Sequence, residues 1–195
     1  MTTLFTFLAG SVLACAAIWI RSRHLDFLAQ KPEDYSDANT EFDVREHLNG
    51  PIICEGVIFG PMGRVTSRFV GEFNAEWDGN VGIMTEHFKY SSGETQDRRW
   101  DLTLLENGEI RAEAADLVGT GKGKQRGSGC QLTYTIRLPE SAGGHVLNVT
   151  DWMYLVDNGT IVNRSQFRKF GIKVAELVAT MRPADAGEEA AKEAA

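Results

Sequence analysis

Arg64 to Trp77 reads Arg-Val-Thr-Ser-Arg-Phe-Val-Gly-Glu-Phe-Asn-Ala-Glu-Trp. On an extended chain Val65, Ser67, Phe69, Gly71, Phe73, Ala75 and Trp77 fall on one face. Thr66, Arg68, Val70, Glu72, Asn74 and Glu76 fall on the other. Successive side chains of a strand point to opposite sides, so alternation this long marks a sheet with one dry and one wet face. Thr95 to Leu105 repeats the pattern, with Trp100, Leu102 and Leu104 opposite Arg99, Asp101 and Thr103.

Outward from these two strands, short apolar runs recur between turn signals. Gly60-Pro61-Met62-Gly63, Asp78-Gly79-Asn80, Ser91-Ser92-Gly93, Asn107-Gly108, Ala142-Gly143-Gly144 and Asn158-Gly159 all read as hairpin connections. The spacing predicts nine or ten strands with no room for helical crossovers, an antiparallel meander. A single long meander exposes two edges unless it closes on itself. The expected fold is therefore all-β, an antiparallel up-and-down barrel of the lipocalin or calycin kind, with a two-sheet sandwich as the alternative. Small Gly71 and Ala75 between aromatics suit strands bent around a curved wall.

Composition agrees with one folded domain. The chain has 195 residues, 43% hydrophobic and 24% charged, with 20 basic and 27 acidic side chains for a net charge of −7. That balance excludes a general nucleic-acid binder, which needs clustered cations to neutralise phosphates. Three cysteines, an odd number, exclude a disulfide-stapled mini-fold. After Pro183 the chain reads ADAGEEAAKEAA, four acids against one lysine with nothing to bury. Residues 183–195 are expected to be a disordered acidic tail.

At the other end, Leu4 to Ile20 is an almost unbroken apolar run, roughly 25 Å long as a helix. A cleaved signal peptide wants positive charge before such a run, and Met-Thr-Thr supplies only the amino terminus. Val12-Leu13-Ala14-Cys15 approximates a lipoprotein box, but Leu13 is bulky there and Ala16 to Ile20 stay apolar. Arg21-Ser22-Arg23-His24 supplies the charged stop of an uncleaved anchor. Residues 1–23 are thus read as one inner-membrane span, 24–40 as a polar neck and 41–182 as the barrel. Positive residues after the span place the globular domain on the cytoplasmic face, and a periplasmic lipoprotein through Cys15 is the alternative.

Catalytic signatures fail one by one. His24, His47, His87 and His145 stand alone, without H-x-H, H-E-x-x-H, C-x-x-C or G-x-S-x-G. Neither a metal nor any other cofactor is expected. Cys54 and Cys130, in apolar strands without a neighbouring histidine, read as inert thiols. The run Gly119 to Gly129 fits neither phosphate-loop spacing; it reads as a hairpin or kinked strand carrying Lys122, Lys124 and Arg126, with a basic lip for lipid headgroups as the alternative. More informative are charges on dry faces. Arg98 shares its face with Trp100 and Leu102, and Asp151 lies between Val149 and Met153. A buried charge must be paired, so Arg98 or Arg164 is expected near Asp151, either as an ion-pair plug or as a polar floor for a ligand head.

Several blocks carry a resemblance. Asp43-Val-Arg-Glu-His-Leu-Asn-Gly-Pro51, Gly93-Glu-Thr-Gln96 with Arg98 and Trp100, Asp116-Leu-Val-Gly119, Asp151-Trp-Met-Tyr-Leu-Val-Asp157, Asn163-Arg164 and Lys169-Phe-Gly171 resemble the bacterial "domain of unknown function 3833" family over residues 35–182. The resemblance implies no catalytic residues. Many members look like lipoproteins, from which this chain departs at its cysteine box.

Three functions follow as expectations. The first is a membrane-tethered lipocalin-like module binding an apolar or amphipathic small molecule of the lipid class, with Phe69, Phe73, Trp77, Arg98, Trp100, Asp151, Tyr154 and Arg164 as its ligand residues. The second is an accessory lipid-modifying enzyme of the isomerase or cyclase type using Arg98, Asp151 or Tyr154. The third is a solid-cored scaffold for unnamed protein partners at the membrane. A cavity larger than about 300 Å³ separates the first two from the third.

Overall fold

In the computed structural model, residues 2–36 and 40–184 are described. The acidic tail expected after Pro183 lies, from residue 185 on, outside them. Ten strands follow one another: β1 Gly50–Phe59, β2 Val65–Asp78, β3 Val81–Tyr90, β4 Thr95–Leu104, β5 Glu109–Ala114, β6 Gly121–Arg126, β7 Gly129–Arg137, β8 Val146–Leu155, β9 Ile161–Lys169 and β10 Ile172–Pro183. Every strand pairs antiparallel with its sequence neighbours, and β1 pairs with β10, so the sheet closes into a barrel without edges. The fold is an up-and-down lipocalin-like barrel.

Two-residue periodicity decides what faces inward. Phe69, Phe73 and Ala75 of β2 are buried while Val70, Glu72 and Glu76 are exposed. One end of the barrel is plugged by the single turn α2 (Val44–His47), capped by the Asp43 carboxylate accepting the Arg45 N–H at 2.9 Å. Phe42, Val44 and Leu48 are buried there, and Gly50, at φ +69, turns the chain into β1. Hairpins at the opposite end leave the barrel open.

Helix α1 spans Thr2–His24, and its residues Thr2–Arg21 are long and apolar enough to cross a bilayer, as a signal sequence also is. The neck that follows lies against the barrel wall. Phe27 is buried, and the Arg164 guanidinium lies 4.9 Å over its ring. Tyr35 packs 5.2 Å from Trp152 and 5.3 Å from Tyr154, ring centre to ring centre. Gly127 and Gly129 make room for it. A Cβ on Gly127 would stand 1.8 Å from the Tyr35 carbonyl oxygen, and one on Gly129 would stand 2.9 Å from the Tyr35 ring. The glycine-rich run is therefore the strand β6 with its turn, fitted to the neck, which lies along the wall as a strap.

Candidate functional site

Inside the barrel lies a cavity of about 840 Å³, open at the end away from α2. Its deep half is apolar: Leu102, Ile110, Met153 and Met181 close over Val44 and Leu48. Aromatic rings form one wall, where Phe88 meets Phe69 at 5.4 Å and Phe73 at 5.1 Å, both edge to face. Polar groups form a band above this floor.

The band has two parts. On β3 and β4, Glu86 and Arg98 are cross-strand partners, and the Arg98 guanidinium also lies 4.6 Å over the Trp100 ring. Arg98 donates Nε–H to Asp116 at 2.8 Å and Nη2–H to the other Asp116 oxygen at 3.2 Å, and it reaches Glu86 at 3.5 Å. Burial pushes the Glu86 carboxyl up to about 7, and the opposing attraction of Arg98 does not restore it. Burial works against the Arg98 charge too, yet the carboxylates around it keep its pKa above the ordinary guanidinium value.

On the opposite wall, Asp151 of β8 accepts from the Asn163 amide at 2.5 Å and the Ser165 hydroxyl at 2.7 Å. Burial raises its pKa, while Ser165, Asn163 and the more distant Arg98 charge pull it back. Tyr134 and both inner thiols, Cys54 and Cys130, are pushed upward by burial, which disfavours the thiolate that a reactive cysteine needs.

Five of the eight residues expected at the ligand site line this cavity: Phe69, Phe73, Arg98, Trp100 and Asp151. The other three lie elsewhere. Trp77 donates its indole N–H to the Leu48 carbonyl at 2.8 Å and so braces the plugged end. Tyr154 alternates with Asp151 and Met153, points outward, and donates its hydroxyl to Gln30 of the strap at 2.7 Å. Arg164 is also outside, bonded through Nε to Glu176 at 2.7 Å. The partner expected for Asp151 is accordingly not Arg164, and Arg98 forms its ion pairs with Asp116 and Glu86. Glu86 and Asp116 escaped the sequence reading. Glu86 had a signal, since it shares its strand face with Met84 and Phe88. Asp116, in the connection after β5, had none.

Comparison with known proteins places this geometry. The sequence model of the family described as "Protein of unknown function (DUF3833)" matches residues 24–183. No curated protein matches the chain. Among solved structures, Rv2717c from M. tuberculosis superposes with a TM-score of 0.52 at 14% identity, covering 71% of this chain and 93% of that one. The S-type phycobiliprotein lyase CPES from Guillardia theta superposes with a TM-score of 0.53 at 7% identity, covering 79% and 97%. At these identities the likeness is one of fold.

Proposed function

The chain belongs to the family described as protein of unknown function (DUF3833), and from that premise we propose that it is a membrane-anchored barrel whose interior binds one apolar or amphipathic molecule of the lipid class. The cavity carries this reading. Its 840 Å³ falls within the roughly 300–1,000 Å³ of small-molecule sites, and its walls are mostly apolar with a few converging polar groups. A scaffold would need only a filled core.

The open end supports the lipid class. Met62 and Phe170, 86% and 90% exposed, stand on the hairpins that rim it. Phe170 holds a left-handed φ of +53, unusual for a bulky residue, and its ring is met only by the Lys169 ammonium at 5.8 Å among the described residues. An apolar rim suits contact with a bilayer from which a ligand is drawn. The anchor is α1, with the barrel on the cytoplasmic face because Arg21, Arg23 and His24 follow the span.

Two experiments test this. Mass spectrometry of organic extracts from the purified full chain should find an apolar molecule in stoichiometric amount; an empty protein that also takes up no apolar fluorophore sinks the binding reading. For topology, alkaline phosphatase fused after Ala184 should be inactive and a fluorescent protein there should glow. Active phosphatase, or palmitate incorporation at Cys15, reverses the orientation.

A further inference from the structure

The charges facing the cavity are unbalanced. Four acids turn towards it, Glu86, Glu94, Asp116 and Asp151, against one base, Arg98. Glu94 stands at the mouth, and the Asp97 carboxylate turns outward to His87, so the interior balance rests on Glu86, Asp116, Asp151 and Arg98. Arg98 binds Asp116 through two hydrogen bonds, and that pair is neutral. Glu86 is left with a 3.5 Å contact to the same guanidinium. Asp151 is met by uncharged donors, Asn163 and Ser165, and by no cation within ion-pair distance among the described residues. Glu86 is only 8% exposed, and what it faces is the cavity. In the ring of ten strands β3 and β8 are five apart, so Glu86 and Asp151 line opposite walls of the cavity.

An anionic head would meet two carboxylates here and find the one cation already held by a third. A cationic head would meet two carboxyl groups that lack a full partner, and its charge would favour their ionised forms against the burial that disfavours them. It would also meet the aromatic wall of Phe69, Phe88 and Tyr90, and such rings attract ammonium groups through their negative faces. We propose that the cavity selects a cationic amphiphile, an apolar chain bearing an amine or quaternary ammonium, with the nitrogen seated between Glu86 and Asp151. The inference rests on the reading of the cavity as a ligand site and adds the sign of the ligand's charge.

A matched chain series tests it on the full protein in phosphatidylcholine nanodiscs, with empty nanodiscs as the blank. N-phenyl-1-naphthylamine, an uncharged apolar fluorophore, reports occupancy, and octylamine, 1-octanol and octanoate compete for it. Octylamine should displace the fluorophore at concentrations about tenfold or more below octanoate, with octanol between them. Glu86→Gln and Asp151→Asn should each narrow that gap. Octanoate competing as well as octylamine overturns the charge assignment while the cavity remains a binding site. A fluorophore that never binds overturns both together.

Discussion

Arg98 holds Asp116 by two hydrogen bonds, at 2.8 and 3.2 Å, and holds Glu86 by a single contact at 3.5 Å. The guanidinium is therefore shared unequally, and its removal strands one well-paired and one poorly paired carboxylate in a barrel wall. Arg98→Met should cost about 3 kcal/mol of stability, since breaking a buried pair leaves charge uncompensated. Adding Asp116→Asn should recover much of that loss. Adding Asp151→Asn should recover less, because Asp151 is bonded to Asn163 and Ser165 instead. Denaturant melts of the two double variants decide it, and equal recovery would mean that Arg98 serves both acids alike.

Glu86 ties stability to pH. Its ordinary value is 4.5, and burial in the barrel pushes it up to about 7. Between those values the folded chain holds a proton that the unfolded chain has lost. The stabilisation is complete below the unfolded value and disappears as pH rises through the folded one. Glu86→Gln keeps the shape without the titration. Melting temperatures taken from about pH 5 to 9 should fall more steeply for the wild type than for the variant. Parallel curves would show Glu86 ionised throughout.

Much of the barrel is legible from alternation alone. It bounds β2 and β4 to within a residue, and closure follows from the cost of open sheet edges. The site was legible only where a charge interrupts a run of apolar partners on one face, as Arg98 and Asp151 do. Glu86 was obscured because β3 is apolar on both faces in part, with Ile83 outside and Met84 inside, so its dry face is not obvious. Tyr154, expected at the ligand site together with Asp151, is three residues from it and so falls on the other face, where its hydroxyl bonds the strap. The strap itself was hidden for a different reason. Its fit depends on Tyr35 meeting Gly127 and Gly129, a complementarity between distant segments that neither shows by itself.

That complementarity is open to test. Gly127 holds φ +51, and a Cβ there would stand 1.8 Å from the Tyr35 carbonyl oxygen, a backbone atom that cannot swing aside. Gly127→Ala should dislodge the strap and cost about 1–3 kcal/mol. Trp152, fully buried beneath Tyr35, should become accessible. Chymotrypsin should then cut after Tyr35 well before it attacks the barrel. Cleavage at the wild-type rate, with an unchanged melting temperature, would show that the strap is not held by this contact.

Phe73 offers the most direct probe of the cavity. It is 6% exposed, lies on the inner face of β2, and packs edge to face with Phe88 at 5.1 Å. Its ring also covers Gly71, whose added Cβ would stand 2.6 Å away, so the wall side of the ring is already full. A larger ring at this position has one direction in which to grow, into the 840 Å³ space. Phe73→Trp should therefore leave the melting temperature nearly unchanged and weaken apolar fluorophore binding several-fold. A filled core would answer otherwise, because overpacking costs about 1–3 kcal/mol and would register as lost stability. Measured together, the melt and the titration separate the two cases. A destabilised variant whose wild-type parent binds no apolar molecule at high micromolar concentration would move the protein from carrier to scaffold.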